Sequence, residues 1–316
     1  MKMGALRYGL AVVTALVFTA IFTMNFFHEG TSISKYLAKQ SELERVKEVE
    51  AVAYTDMMLY GDERSTVSED VDLTEKFSSE EGFEKAQRIR SSDRWLLVGL
   101  TTVAWLMLIP ALQRMRALSF VYVAMGAYII LLSLCKMLNG GAAFSDWAIT
   151  AHATRWLPCF ALWLWLFMKP CAKEQSDRVV KWMLVIAVSL TFATHGLESL
   201  LFHPGFRDLL IGGFEIISIQ LSDSLCHLLL RLIGVMDVTL AVLVLFTQRK
   251  SLFLWMAIWG GLTALARPIA FGEILWEDAF LRCGNCLIPL ILFLWISQQT
   301  NAKKKNIIEH EDTEYN

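Results

Sequence analysis

The 316 residues carry a formal net charge of −2, are 55% hydrophobic and only 19% charged. The apolar residues come in long blocks, which excludes a pair of ordinary soluble domains. No basic, aromatic-interleaved stripe exists, which argues against a nucleic-acid partner, and six cysteines scattered in or beside apolar blocks are not a secreted disulfide framework.

In chain order, the apolar blocks predict an all-α protein with eight transmembrane helices, near 8–27, 95–112, 118–138, 149–168, 180–202, 225–247, 252–270 and 281–298. Each approaches the ~20 residues that a helix needs to cross the hydrocarbon core. The first block reads as an anchor rather than a cleaved signal. Its apolar run is long for such a leader and ends Phe22-Thr23-Met24-Asn25-Phe26-Phe27, without an A-x-A cleavage site.

Lysines and arginines set the orientation. Lys2 and Arg7, then Arg114 and Arg116, then Lys169, Lys173, Arg178 and Lys181, then Arg249, Lys250 and Lys303-Lys304-Lys305 all fall on one side of an eight-span chain. The connections 139–148 and 271–280 contain neither residue. Both termini are therefore expected in the cytoplasm, in a bilayer of the bacterial inner-membrane type. Segment 28–93 lies outside, with 16 acidic residues against 9 basic ones. Helical rhythm over 34–60 (Leu37, Leu43, Val46, Val49, Val52, Ala53) and a Ser/Asp/Glu-rich 61–81 suggest a solvated hairpin over the outer mouth. It is a natural surface for a membrane or outer-face protein partner.

Two segments repeat at an offset of 135 residues. Leu97-Val98-Gly99 returns as Leu232-Ile233-Gly234, and Gln113-Arg114 as Gln248-Arg249. Arg155 and Pro158 open span four much as Arg282 and Pro289 open span eight, and His28-Glu29-Gly30 has an echo in His195-Gly196-Leu197-Glu198. A tandem, parallel 4+4 duplication is the expected architecture: a first half over 1–169, a second over 178–298, and a cytoplasmic tail at 299–316. Within the second half, a histidine-glycine turn late in the first helix is followed by Gly234-Val235-Met236-Asp237 in the next. That unit resembles the DoxX-like membrane proteins. The resemblance covers under half of the chain and implies a four-helix unit associated with redox enzymes; it carries over no catalytic residue.

The polar residues gather at the outer ends of the spans. His28, His152, His195, His203 and His227 map there, with Arg155, Glu198, Arg231, Arg267, Glu273, Glu277 and Arg282; His310 is in the tail. Ionisable groups at membrane depth face a bundle interior or a wet cavity, so a polar pocket open to the outer face is expected. Its densest piece is Thr194-His195-Gly196-Leu197-Glu198, followed by His203-Pro204. His195 and Glu198 share a helix face and His203 lies nearer His195. Three roles fit them: a helix-clamping hydrogen bond, a proton or ligand site beside a quinone or haem, and a metal site of His195, Glu198 and His203. Arg155, Arg267 and Arg282, with Asn285, could fork a carboxylate or phosphate, or snorkel.

Asp237, mid-span, is expected to pair with Arg231 or Arg267. Counted along adjacent antiparallel helices at 1.5 Å per residue, however, Arg231 and Arg267 share a level about 10 Å above it. They would then line one vestibule with Asp237 as its floor, and Glu198 or a ligand between them. Cys283-Gly284-Asn285-Cys286 has the spacing of a thiol redox pair, with small-residue packing as its alternative. The eleven tryptophans, including Trp147, Trp156, Trp163, Trp165, Trp255, Trp259, Trp276 and Trp295, suit interfacial belts. No P-loop, dinucleotide fingerprint, H-E-x-x-H or G-x-S-x-G is present. Three functional classes stay open: a redox-associated or ligand-binding membrane subunit, a transporter of a small organic or anionic solute, and a non-catalytic scaffold.

Overall fold

The computed structural model describes residues 3–27, 30–41, 81–113, 115–140, 143–168, 173–272 and 276–314. The readings for most of the outer segment, and for Arg114, Lys169, Glu273 and the His28 and His310 side chains, fall outside the described residues. All regular structure among the described residues is helical.

The first helix, α1 (Met3–Phe27), shows how these sequences satisfy an apolar setting. Hydroxyls of Thr14, Thr19 and Thr23 donate to carbonyls four residues back, at 3.1, 2.9 and 3.0 Å. No polar atom of theirs is left bare. After a helical stretch at 32–41, α2 (Glu81–Leu106) begins well before the apolar block expected from 95 and runs into it without a break. Its junction with the bundle is a buried polar knot. Asp93 accepts hydrogen bonds from Thr31 Oγ1 and, at 2.8 Å, from the Tyr128 hydroxyl.

Next come α3 (Phe120–Asn139), ended by Gly140 at φ +63°, and α4 (Ala153–Phe167). Then follow α5 (Lys173–Leu200), α6 (Pro204–Glu215), α7 (Asp223–Thr247), α8 (Lys250–Phe271), α9 (Trp276–Leu281) and α10 (Cys283–Glu314). Ser222 caps α7, accepting from the Leu225 N–H at 3.3 Å, and Gln248 stops it at φ 39°.

Among the described residues, six segments are long and apolar enough to cross a membrane: Gly4–Phe26, Arg116–Asn139, Glu174–Leu200, Asp223–Thr247, Lys250–Phe271 and Trp276–Asn301. The chain is accordingly a polytopic membrane protein of helices. The other two expected spans are built differently. The second shares α2 with a charged, exposed outer half. The fourth is interrupted at His152, and α4 beyond it has 15 residues, about 22 Å of helix.

Close helix contacts fall where the sequence places glycine. α5 crosses α7 at Gly196 and Gly234, each of which would put a Cβ 2.7–2.9 Å from the other's carbonyl oxygen. α8 meets α10 at Gly260, where a Cβ would lie 2.2 Å from the Asn285 carbonyl oxygen. Such small-residue crossings let backbones pack directly where no hydrophobic effect drives helix association. α7 packs chiefly on α5 and α8 on α10, so α7 and α8, although joined by a short turn, hardly touch. They were expected side by side. Instead α6, which lies between two of the expected spans, packs on both near one end of the bundle. At the other end of the ring, α1 packs on α9 and α10 and joins the first helix to the last.

The repeated segments do not play repeated roles. Gly99 is exposed with nothing near its missing Cβ, whereas its counterpart Gly234 is buried in the α5/α7 crossing. The tryptophans also divide. Trp95 and Trp255 are exposed on the bundle surface, but Trp165 and Trp295 are buried, stacked 5.0 Å apart and nearly parallel, with Trp165 Nε1 donating to Asp177 at 2.6 Å.

Candidate functional site

The splay of α7 from α8 leaves a cavity of about 330 Å³. Its walls are mostly apolar and come from α5 (Phe192), α6 (Phe206, Leu209, Leu210, Phe214) and α7 (Leu230, Ile233). Polar groups interrupt them at chosen points: His195 and Ser199 on α5, Asp237 on α7, Trp259, Thr263 and Arg267 on α8, then Arg282 and Asn285 at the start of α10. Asp237 and Trp259 each lie eleven residues from Gln248, so they share one depth, ~16 Å along their helices. Arg267 is eight residues beyond Trp259, ~12 Å further out.

The two expected residues of the dense motif are joined. His195 Nδ1 and Glu198 Oε2 are 2.8 Å apart, with both side chains mostly buried, and His195 lies edge-on to Phe206 at 5.9 Å. Gly196 between them admits a neighbouring helix, as its would-be Cβ contacts with α7 show. His203 does not join them. Its Nδ1 accepts the Gly205 N–H at 2.9 Å and so caps α6. Its ring is stacked between Phe144 and Phe206 at 5.2 and 5.0 Å. Burial in that stack holds the His203 imidazole below its usual pKa. The His195, Glu198 and His203 metal set is therefore not assembled, and no group of three potential ligands stands ready for a metal among the described residues.

The arginines rearrange the expected vestibule. Arg231 is exposed and lies over the Phe202 ring at 5.2 Å, outside the cavity. Its place beside Arg267 is taken by Arg282, just before α10, because α10 rather than α7 packs along α8. Asp237 pairs with neither expected arginine. Its Oδ1 is buried without a hydrogen-bond partner, as is Trp259 Nε1. Arg267 is held at 3.0 Å by Asp278, four residues before Arg282. Arg155, Arg267 and Arg282 lie within electrostatic reach of one another and of Asp278, and Lys136 within reach of Arg155, Arg282, Glu198 and Asp278. Three partly buried arginines, with the exposed Lys136 nearby, thus gather around these two carboxylates. Arg282 Nε is buried with no hydrogen-bond partner.

Asn285 and His152 serve the frame. Thr154 Oγ1 donates to Asn285 Oδ1 at 2.7 Å, and the Thr154 N–H donates to Thr191 Oγ1 at 3.2 Å, tying α4, α5 and α10 together. His152 Nδ1 meets Ser133 Oγ at 3.1 Å. Cys283 and Cys286 are free thiols in the first turn of α10, and Cys286 Sγ packs against Gly261 of α8. Neither lines the cavity.

Asp278, Lys136 and Asp93 escaped the sequence reading. Asp278 sits one helical turn before Arg282, a spacing that signals a shared face. Lys136 carried a stronger sign: a lysine in the last turn of an otherwise apolar span, away from the basic connections, needs a partner or a polar cavity. No protein-family model, curated protein or solved structure matches the chain.

Proposed function

We propose that this chain is a membrane-embedded ligand-binding subunit whose pocket, at the outer end of the helices, holds a small organic molecule. One observation carries the reading: a cavity of about 330 Å³ with apolar walls and a few convergent polar groups, the build of a small-molecule site. That volume lies at the lower end of the range for small-molecule sites, and the ring of a quinone fits it. The association with redox enzymes rests on the DoxX-like resemblance of residues 178–298 and on that quinone-sized space. A solute-transport role has one observation in its favour. The helix that walls the cavity, α6, lies between two left-handed residues, Phe202 (φ 57°) and Ser218 (φ 60°), where the chain can turn sharply.

Thr263→Trp, which fills the cavity from α8, supplies the test. Solvent extraction of the purified full chain, followed by mass spectrometry, should release one small compound in near-stoichiometric amount from wild type and little from the variant. Equal extracts from both would sink the pocket reading.

The membrane arrangement within this reading has eight spans, with the apolar part of α2 and the short α4 as the two that fall below ordinary length. Both termini are cytoplasmic, supported by the one-sided distribution of lysine and arginine. A phosphatase reporter fused after Ser92 should then be active outside, and one fused after Lys250 silent. The reverse pattern would invert every placement.

A further inference from the structure

The cavity has clustered positive charge at one end and two polar groups at the other. At the first end, Arg155, Arg267 and Arg282, with the exposed Lys136 nearby, gather around Glu198 and Asp278, and those two carboxylates are engaged by His195 and Arg267. Arg282, which lines the cavity, keeps a buried Nε with no partner. Uncompensated positive charge in a weakly polar interior is costly, and a bound anion removes that cost. A guanidinium fork matches a carboxylate well. Between the ends, Phe192, Leu209, Leu210, Phe214, Leu230 and Ile233 offer only apolar surface. At the floor, Asp237 Oδ1 and Trp259 Nε1 lie within reach of each other without a well-formed hydrogen bond. A hydroxyl, which donates and accepts, can bridge the two.

Resting on the ligand-binding reading above, we infer that the ligand is an amphipathic monocarboxylate with a hydrogen-bonding group, such as a hydroxyl, at its far end. The carboxylate lies against Arg282 beside Arg267, the chain runs along the apolar wall, and the far hydroxyl reaches Asp237 and Trp259. The depth from Arg267 to Trp259, ~12 Å, sets a chain of medium length. The inference concerns chemical class: an anionic head, an apolar body and a polar tip.

Thermal unfolding of the full chain in a non-ionic detergent tests this with four probes of matched length: octanol, octyltrimethylammonium, octanoate and ω-hydroxyoctanoate. Octanoate should bind about tenfold more tightly than octanol, and the hydroxy acid about tenfold more tightly again, each step being the worth of one good charged or buried hydrogen bond. The cation should not bind. Arg282→Gln should erase the preference for the acid over the alcohol while leaving octanol binding intact, and Asp237→Leu should erase the gain from the hydroxyl. Equal stabilisation by octanol and octanoate would overturn the anionic head and leave the pocket standing. Absence of a gain from the hydroxyl would overturn the polar tip. Should no probe bind wild type, and Thr263→Trp melt and extract as wild type does, the ligand-binding reading itself falls.

Discussion

Gly260→Val should leave little folded protein in the membrane. A Cβ at this position would lie 2.2 Å from the Asn285 carbonyl oxygen and 3.2 Å from the Cys286 amide nitrogen. Both are helix backbone and cannot swing aside, so α8 and α10 would have to separate. They form one of the two most extensive helix pairs in the bundle. Overpacking of this kind costs up to about 3 kcal/mol, and more where backbone must move. The accumulated level and the melting temperature in detergent are the measurements, with Gly99→Ala as control. Gly99 is exposed on α2 with nothing within reach of a Cβ, and alanine is the better helix former there by up to about 1 kcal/mol. Wild-type accumulation of Gly260→Val with an unchanged melting temperature would show that the α8/α10 crossing does not exist as described.

Asp278→Asn is the second substitution with a large expected effect. Asp278 is the carboxylate that Arg267 holds at 3.0 Å, with both side chains only 17% exposed, and it also feels Arg155 and Arg282. Removing one member of a buried pair leaves its partner's charge uncompensated, at about 3 kcal/mol or more. Salt should relieve the loss only slightly, because buried charges are screened far less than exposed ones. The double variant with Arg267→Gln should recover part of the loss, since the two sites share one interaction. A single variant as stable as wild type at low salt would mean that the arginines are neutralised elsewhere, and the charge imbalance described above would vanish with it.

Much of the helical frame was legible because its signals are long: six of the eight expected apolar blocks fall on helices long and apolar enough to span a membrane. The His195–Glu198 contact was legible for a local reason, since three residues on a helix fix neighbours on one face. What failed was everything that depends on which helix packs on which. The sequence places Arg231 and Arg267 at one depth, but depth says nothing about direction around the helix axis, and Arg231 faces outward over Phe202. The turn at Gln248 invites the assumption that α7 and α8 lie together, whereas glycines far along the chain pull them towards α5 and α10. His203 looked like a ligand and is a cap, because its ring nitrogen is spent on the Gly205 amide. Helix α6 was unreadable as a helix, being short, partly exposed and lacking the length of a span.

The contact of α1 with α9 and α10 bears on how the chain is made. A ribosome delivers α1 first and α10 last, yet the buried face of α1, with Leu6, Leu10, Val13, Val17 and Phe18 at most 2% exposed, includes the surface that α9 and α10 cover. Until they arrive, that part of α1 can rest against lipid, whose tails are as apolar as its final neighbours, so the wait costs little. The polar seam has no such refuge. Thr154 finds Asn285 only across 131 residues of chain, and α4 must hold that hydroxyl and the Arg155 charge without their α10 partners until that helix emerges. Assembly of this seam therefore waits on α9 and α10. A truncation just before α9 would leave an open ring exposing its buried arginine, a natural mark for quality-control proteolysis.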